Sequence, residues 1–488
     1  MLRKLTLAIL GALLLVALAL GVNTAMKASR QVAVTARAPL PVDEAGAVTR
    51  LQQAVRIRTV SDMLDPEANA AEFLKFHRHL EASFPLLHAQ LKRETISDYT
   101  LLYRWEGQDA TAKPILLMAH MDVVPVDAQT EAAWEQPGFS GALAGGYVWG
   151  RGVWDNKSNL MSQFEAIEML VRSGFRPKQT IYLLLGADEE VNGVRGAGGT
   201  AALMRQRGTR FEFVLDEGLV ITQGIVPGIA APVGLIGIAQ KGYMTADLSV
   251  RFAKGGHSSM PPQESVIGVL SEGLARIERQ PFKPALTGVP AEMFERLAPE
   301  MTFPNRLFMS NLWLFGPLVL NKLAQSDATR AQLHTTTALT IFQGGIKENV
   351  IPAEAHAKAN FRILPGQTSD SVIEATRAKV ADARIEVKKP DTVFEPSRIS
   401  SSQARGYQLI ERTVREVFPG TVVSPGLFTA RADAGYFDAL ADNVYLFSPV
   451  RVGPADTARF HGINERIAVT NYIEMVRFFH QLIRNAAQ

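Results

Sequence analysis

The 488-residue chain contains no cysteine. That absence excludes thiol catalysis, disulfide staples and zinc sites built on thiolates, and it leaves the compartment open. Charge imbalance is nearly missing too. Fifty-one basic residues against 48 acidic ones give +3, too little to argue for nucleic acid or for a strong anionic-membrane field. No internal repeat and no low-complexity tract interrupts the chain. What is present is an ordinary globular balance, 47% hydrophobic and 20% charged, with ample material for a core. The length predicts two or three folding units rather than one.

The N-terminus carries an address. Arg3 and Lys4 precede an almost purely apolar run over residues 5–22, near the minimum needed to span a bilayer. The basic flank would stay cytoplasmic, so the rest of the chain would be exported. Asn23-Thr24-Ala25 is a poor small-x-small cleavage site, which favours an uncleaved signal anchor (residues 1–24) over a removed signal peptide. Residues 25–42 read as a polar, proline-containing tether.

From residue 43 to about 239, amphipathic helical segments alternate with short apolar runs. Residues 47–56, 67–80 and 160–173 read as helices, and 101–105, 115–119, 181–186 and 213–215 as strands, the pattern of a mainly parallel sheet covered by helices. Near Gly242 the texture changes. Strand 244–252, helix 266–277, strands 338–342 and 355–363, helix 369–383 and strand 385–387 follow the order of a small ferredoxin-like unit, interrupted by an apolar insertion over 284–335. The α/β texture then returns, with helix 403–417, strand 444–447 and helix 469–484. The predicted fold class is therefore α/β. A mainly parallel-sheet catalytic domain (43–239 and 389–488), with helices on both faces, is interrupted by a ferredoxin-like α+β lid or dimerisation domain (240–388).

The chemistry gathers at strand ends. Residues 115–119 form an apolar run leading into His120-Met121-Asp122. Alternation along a strand points His120 and Asp122 the same way, and ligands in open α/β sheets bind beyond the carboxyl ends of strands. An imidazole with a carboxylate two residues on suits metal binding, the carboxylate holding the second ring nitrogen. Alone this signal is weak. It recurs, however: Gly150-Arg151-Gly152-Val153-Trp154-Asp155 is a glycine-flanked turn presenting a carboxylate, residues 183–186 run into Asp188-Glu189-Glu190, residues 213–215 run into Asp216-Glu217, and His461 sits in a late polar loop. Strand-end acids with two histidines, in a chain without cysteine, suggest a dinuclear site for zinc, cobalt or manganese. Histidines 77, 79, 88, 334, 356 and 480 lack this setting and read as structural.

His120-Met121-Asp122, the Gly150-to-Lys157 turn, Glu189-Glu190, Asp216 and His461, in that order, resemble the aminoacylase / carboxypeptidase S family of two-metal peptidases. Gly256-His257-Ser258-Ser259, residues 335–342, Asn349-Val350-Ile351-Pro352, residues 360–368 and residues 310–315 are similar to the members of that family that act on N-fatty-acyl amino acids. The resemblance implies that Asp155 bridges two divalent ions, most often Zn2+, with Co2+ or Mn2+ as alternatives. His120 and Asp216 would complete one site, with Glu217 as the alternative to Asp216, and Glu190 and His461 the other. Such ions sit roughly 3.5–4 Å apart and share one water. Glu189 would be the general base, Asp122 would orient His120, and the Asp155-Asn156 peptide would be cis. His257 would stabilise the oxyanion, reaching into a partner subunit of a homodimer, while Asn349 and Arg362 would grip a substrate carboxylate. In one place the chain departs from the family, which commonly has a Thr and an Arg where this chain has Ala432 and Gly435; Arg431 is the candidate replacement for the lost grip. The implied activity is amide hydrolysis of N-acyl amino acids or short peptides with a free carboxylate. A dipeptidase or carboxypeptidase, or an inactive binding protein on the same scaffold, are the alternatives. The insertion's Met301, Phe303, Trp313, Phe315 and Leu318 read as a lid core, an acyl channel or a membrane-facing surface.

Overall fold

In strand Ile115–His120 every residue is buried, and successive side chains enter two different cores. Ile115, Leu117 and Ala119 pack under one layer of helices, and Leu116 and Met118 under the other. This two-sided burial is why the strand reads as an unbroken apolar run rather than an alternating one. The protein is described from a computed structural model covering residues 1–486.

The strand lies inside an eight-stranded sheet. Its order is Lys92–Ile96, Thr100–Trp105, Ile181–Gly186, Ile115–His120, Phe211–Thr222, Ala441–Val452, Val233–Gln240, Val422–Phe428. The four strands from Ile181–Gly186 to Ala441–Val452 run parallel, as do the last two. Helices Glu44–Arg56, Ala70–Ser83, Ser158–Arg172, Arg405–Val417 and Val469–Ala486 cover one face. Helix Ala197–Gln206 and the turns at Asp433–Leu440 cover the other. The α/β class read from the sequence is the observed one.

Several elements were not legible in the apolar pattern. Strand Val422–Phe428 contains Pro425 and Gly426, which argue against a strand; it is tolerated because it is the sheet's edge. Strand Phe211–Thr222 is much longer than the apolar stretch 213–215, because it continues through Asp216, Glu217 and Gly218.

The second sheet has four antiparallel strands in the order Thr336–Gly344, Glu354–Ile363, Gly242–Arg251, Ile385–Lys388, backed by helices Val266–Arg279 and Ser369–Val380. This is the ferredoxin-like arrangement, with its own core around Met244, Leu270 and Phe361. Both helices start on hydroxyl caps: Ser265 accepts from Gly268 N, and Thr368 forms a reciprocal pair with Ser371. The insertion contributes helices Gly288–Leu297, Asn305–Ser310, Leu312–Leu323 and Asp327–Leu333. They share a core with the edge of the large sheet through Val233 and Val422. At the N-terminus, helix Leu2–Met26 is long and apolar enough to cross a membrane, and none of it is buried.

Candidate functional site

Asp155 sits in the turn after strand Tyr147–Trp149, and its two carboxylate oxygens face two different histidines. Oδ1 lies 3.0 Å from His120 Nε2, and Oδ2 lies 2.9 Å from His461 Nε2. The three residues come from loops far apart in sequence. His120 ends a central strand, Asp155 precedes helix Ser158–Arg172, and His461 follows the long strand Ala441–Val452. The Asp155-Asn156 peptide is cis.

The bridging loop is held from behind by Glu465. One of its oxygens accepts from Arg151 Nη1 at 2.7 Å and Gly152 N at 3.0 Å; the other accepts from Trp154 N at 2.8 Å and Asp155 N at 3.2 Å. Arg151 also donates to the carbonyls of His461 and Gly462. One buried ion pair thus ties the Asp155 loop to the His461 loop. Nothing in the sequence marks Glu465 beyond its place four residues after His461. His461 itself takes a left-handed backbone, φ +56°, uncommon for a residue other than glycine. Lys157 is buried and donates to the carbonyls of Ala54 and Ile57, so it clamps the first helix of the domain rather than facing the site.

Asp122 organises the other side. Its Oδ1 is 3.3 Å from His120 Nδ1 and accepts from Glu189 N, while Oδ2 accepts from Glu190 N and from Ser61 Oγ. His120 Nδ1 is closer still to the Asp122 backbone carbonyl, at 2.9 Å, so Asp122 meets the imidazole through main chain and side chain while its carboxylate positions the two adjacent glutamates. Glu190 Oε1 is buried, and its one polar neighbour among the described residues is His461 Nε2, 3.3 Å away. Glu189 approaches His120 and Glu217 instead.

At the next strand the structure departs from the expected ligand. Asp216 does not face His120. It follows the strand's alternation onto the face of Val214 and Ala434, where its oxygens are taken up by the backbone, accepting from Glu217 N and Ala434 N, both at 2.8 Å. The ladder with the neighbouring strand then skips from Leu446–Asp216 to Phe447–Leu219. This bulge re-aims the chain. Glu217 Oε1 ends 3.4 Å from His120 Nε2, its other oxygen accepting from Asn156 Nδ2. Short-range sequence pattern cannot distinguish these two acids; only the bulge does.

Electrostatically the site is overloaded with acid. Asp122, Asp155, Asp216 and Asp433 are buried within it, and Glu189, Glu190 and Glu217 are half-buried beside them, against the two histidines. Burial pushes Glu189 and Glu217 well above the usual carboxylate range. Burial works against ionising Asp155 as well, but the two imidazoles hold it below that range. The carboxylates of Asp155 and Glu190 raise His461 to about 10. Buried charges of one sign require compensation by pairing or by a metal. Two histidine nitrogens and the carboxylates that converge on them are a donor set that fits divalent cations.

The remaining predicted residues lie elsewhere. His257 is exposed, on a two-residue strand paired with Val350–Ile351, and its side chain bonds only Ser259 among the described residues. That ribbon sets Asn349 beside it: the Asn349 carbonyl accepts from Ser258 N, and its side-chain oxygen is buried without a partner. Arg362 lies over the Tyr243 ring at 4.7 Å, and Arg431 over Phe394 at 3.9 Å and Tyr436 at 4.8 Å. The two arginines are near enough that Arg431, together with burial, disfavours the charge on Arg362. His77, His79 and His88 bond backbone carbonyls, a structural use.

Comparison with known proteins identifies the family. Residues 116–485 match the model of Peptidase family M20/M25/M40. The chain is 38% identical over 445 residues to a probable carboxypeptidase S-like protein of Dictyostelium discoideum, covering 89% of this chain and 84% of that one. It is 39% identical over 442 residues to the N-fatty-acyl-amino acid synthase/hydrolase of Mus musculus, covering 89% and 87%. Among solved structures, an M20 family metallo-carboxypeptidase from Sulfolobus solfataricus superposes with a TM-score of 0.66 at 17% identity, covering 90% of this chain and 99% of that one. Human carnosine dipeptidase 1 superposes at 0.64 and 16%, covering 91% and 96%. The chain therefore belongs to peptidase family M20/M25/M40 and is a metal-dependent hydrolase.

Proposed function

We propose that this protein is a two-metal amidohydrolase that cleaves the amide of N-acyl amino acids bearing a free carboxylate, with a hydrophobic acyl group favoured. The observation that carries this reading is Asp155, whose two oxygens each stand about 3 Å from the Nε2 of a different histidine. Asp155 would bridge the ions, with His120 and Glu217 completing one ligand set and Glu190 and His461 the other. Glu217 takes the place first expected of Asp216, whose oxygens are already occupied by backbone donors. Zn2+ suits this donor set, as do Co2+ and Mn2+. When bound, such ions supply Lewis acidity and lower the pKa of water toward neutrality, to about 7 from 15.7 in the single-zinc case.

The protein's own groups carry the proton and hold the substrate. Glu189, its affinity for a proton raised by burial, takes a proton from the attacking water and returns it to the leaving nitrogen. Asp122 holds His120 in one orientation. His257 would donate to the oxyanion, and its exposed position suits action across a homodimer. Asn349 and Arg362 would bind the substrate carboxylate, with Arg431 as a second cation beside them. Arginine offers a forked contact that lysine cannot. The N-terminal helix would hold the enzyme at a membrane, with the catalytic domain outside the cytoplasm. The similarity to an N-fatty-acyl-amino acid synthase/hydrolase supports an acyl substrate and allows the reaction to run in reverse. The resemblance to carboxypeptidase S-like proteins makes a carboxypeptidase the second reading.

Chelation followed by metal restoration, assayed on N-acyl amino acids of graded acyl length and on dipeptides, tests the proposal. Activity should vanish, return with two equivalents of metal, and rise with acyl length. A preference for dipeptides would select the carboxypeptidase reading. Glu189→Gln should keep its metal and lose about 10³-fold in kcat; survival of turnover would remove Glu189 as the base.

A further inference from the structure

Helix Leu312–Leu323 in the insertion is apolar on all sides until Asn321 and Lys322 at its end. Leu312, Phe315 and Val319 pack inward against the Met293–Phe294 cluster. The opposite side carries Trp313, Leu314 and Leu318, which are 64%, 43% and 60% exposed, and Phe303, in the turn that precedes helix Asn305–Ser310 of the same insertion, is 76% exposed. A helix that is hydrophobic all round is normally buried, and a contiguous apolar patch of this kind marks a contact surface.

The position of the patch says what the contact is. The N-terminal helix Leu2–Met26 is 25 residues long, about 37 Å at 1.5 Å per residue, against a hydrocarbon core of about 30 Å. Its last turn therefore emerges at the interface. That turn is clamped to the insertion by Asn311, the residue immediately before the apolar helix. The Asn311 side chain is fully buried. Its Nδ2 lies 2.9 Å from Thr24 Oγ1 and 3.3 Å from the Leu20 carbonyl, and its Oδ1 accepts from Asn23 Nδ2 at 2.9 Å. Asn23 also donates to the Ser310 carbonyl, and Arg306 to that of Lys27. A polar network at the mouth of the span thus fixes the level of helix Leu312–Leu323.

We propose that this helix is a second, interfacial membrane contact: Trp313, Leu314, Leu318 and Phe303 lie in the headgroup–acyl boundary of the leaflet from which the N-terminal span emerges. This rests on the anchored reading above and adds to it. A span alone would leave the body free to tumble on its tether. The Asn311 clamp with an immersed apolar face holds the insertion against the lipid, where amphiphilic acyl substrates are concentrated. Trp313 donates its one N–H to Asn311 Oδ1 at 3.3 Å and leaves its ring exposed, and an aromatic body held at that level suits the boundary.

The cysteine-free chain makes the test clean. Trp313→Cys and Leu318→Cys are made singly in the full chain, with Ile346→Cys, at a fully exposed lid position, as the reference. Each variant is confirmed active in native membranes and then labelled with a water-soluble maleimide. We expect the first two to react at least tenfold more slowly than Ile346→Cys, at a rate unchanged when lipid is raised tenfold over protein. Labelling as fast as the reference, in a chain that survives alkaline extraction with the membrane, overturns the interfacial contact and leaves the anchor standing. Protection that disappears on lipid dilution assigns the face to a second copy and likewise overturns it. A chain released by alkaline extraction overturns the anchored reading itself.

Discussion

Around Asp155, Glu465 accepts four hydrogen bonds that tie two ligand loops together, whereas the ribbon bearing His257 is two residues deep and exposed on both strands' outer sides. The first region is closed within one chain, each oxygen of Glu465 meeting two donors. The second leaves an exposed imidazole and an unpartnered Asn349 oxygen. The contrast separates two tasks. Holding cations requires donors locked before the metal arrives, because small displacements spoil coordination. Gripping a substrate requires groups that are completed by something else, a ligand or a partner subunit.

Four measurements would sharpen or break this contrast. The largest effect should come from exchanging the adjacent acids. Glu217→Gln should lower bound metal from two equivalents to one and cut kcat by about 10³-fold, an electrostatic loss of the size seen when charge stabilisation is removed. Asp216→Asn should retain both equivalents, as read by atomic absorption. The reverse result would make Asp216 the ligand. Next comes Glu465→Ala, which strands Arg151 in a buried site and should cost about 3–5 kcal/mol of stability in denaturant unfolding. A loss below 1 kcal/mol would show that the loops do not depend on the weld. His257→Ala should lower kcat about 10²-fold with an unchanged Tm, because the side chain is exposed and bonds only the neighbouring Ser259 among the described residues; a fall in Tm would make it structural. The smallest effect concerns His480, which burial and Arg484 push down to about 4 from the ordinary 6.5. Between those values the unfolded chain binds a proton that the folded chain does not, so stability falls as the pH drops through that window. His480→Gln should remove about 1–2 kcal/mol of the loss between pH 7 and pH 5, seen as a smaller drop in Tm.

Much of the fold was legible because its signals are local. Alternating helices and apolar runs announced the large sheet, and the order of elements announced the ferredoxin-like one. What escaped had a particular cause each time. Strand Val422–Phe428 hid behind Pro425, which an edge position permits. The small strands Ala142–Ala144 and Tyr147–Trp149 are too short to show a period. Glu465 carried no local mark, since its partners are backbone amides more than 300 residues away.

The amino-acid order alone determined which kinds of side chain stand at strand ends, and hence that two imidazoles and several carboxylates would be available for cations. Hydrophobic period is a short-range property and reads directly from neighbours. Only the tertiary structure decided which of two adjacent acids faces His120, because a β-bulge against Leu446 turns one toward the site and leaves the other under Ala434. It also decided that Asn311 meets the end of a helix nearly 290 residues earlier. Pairing register and loop closure depend on partners distant in the chain, and no local pattern records them.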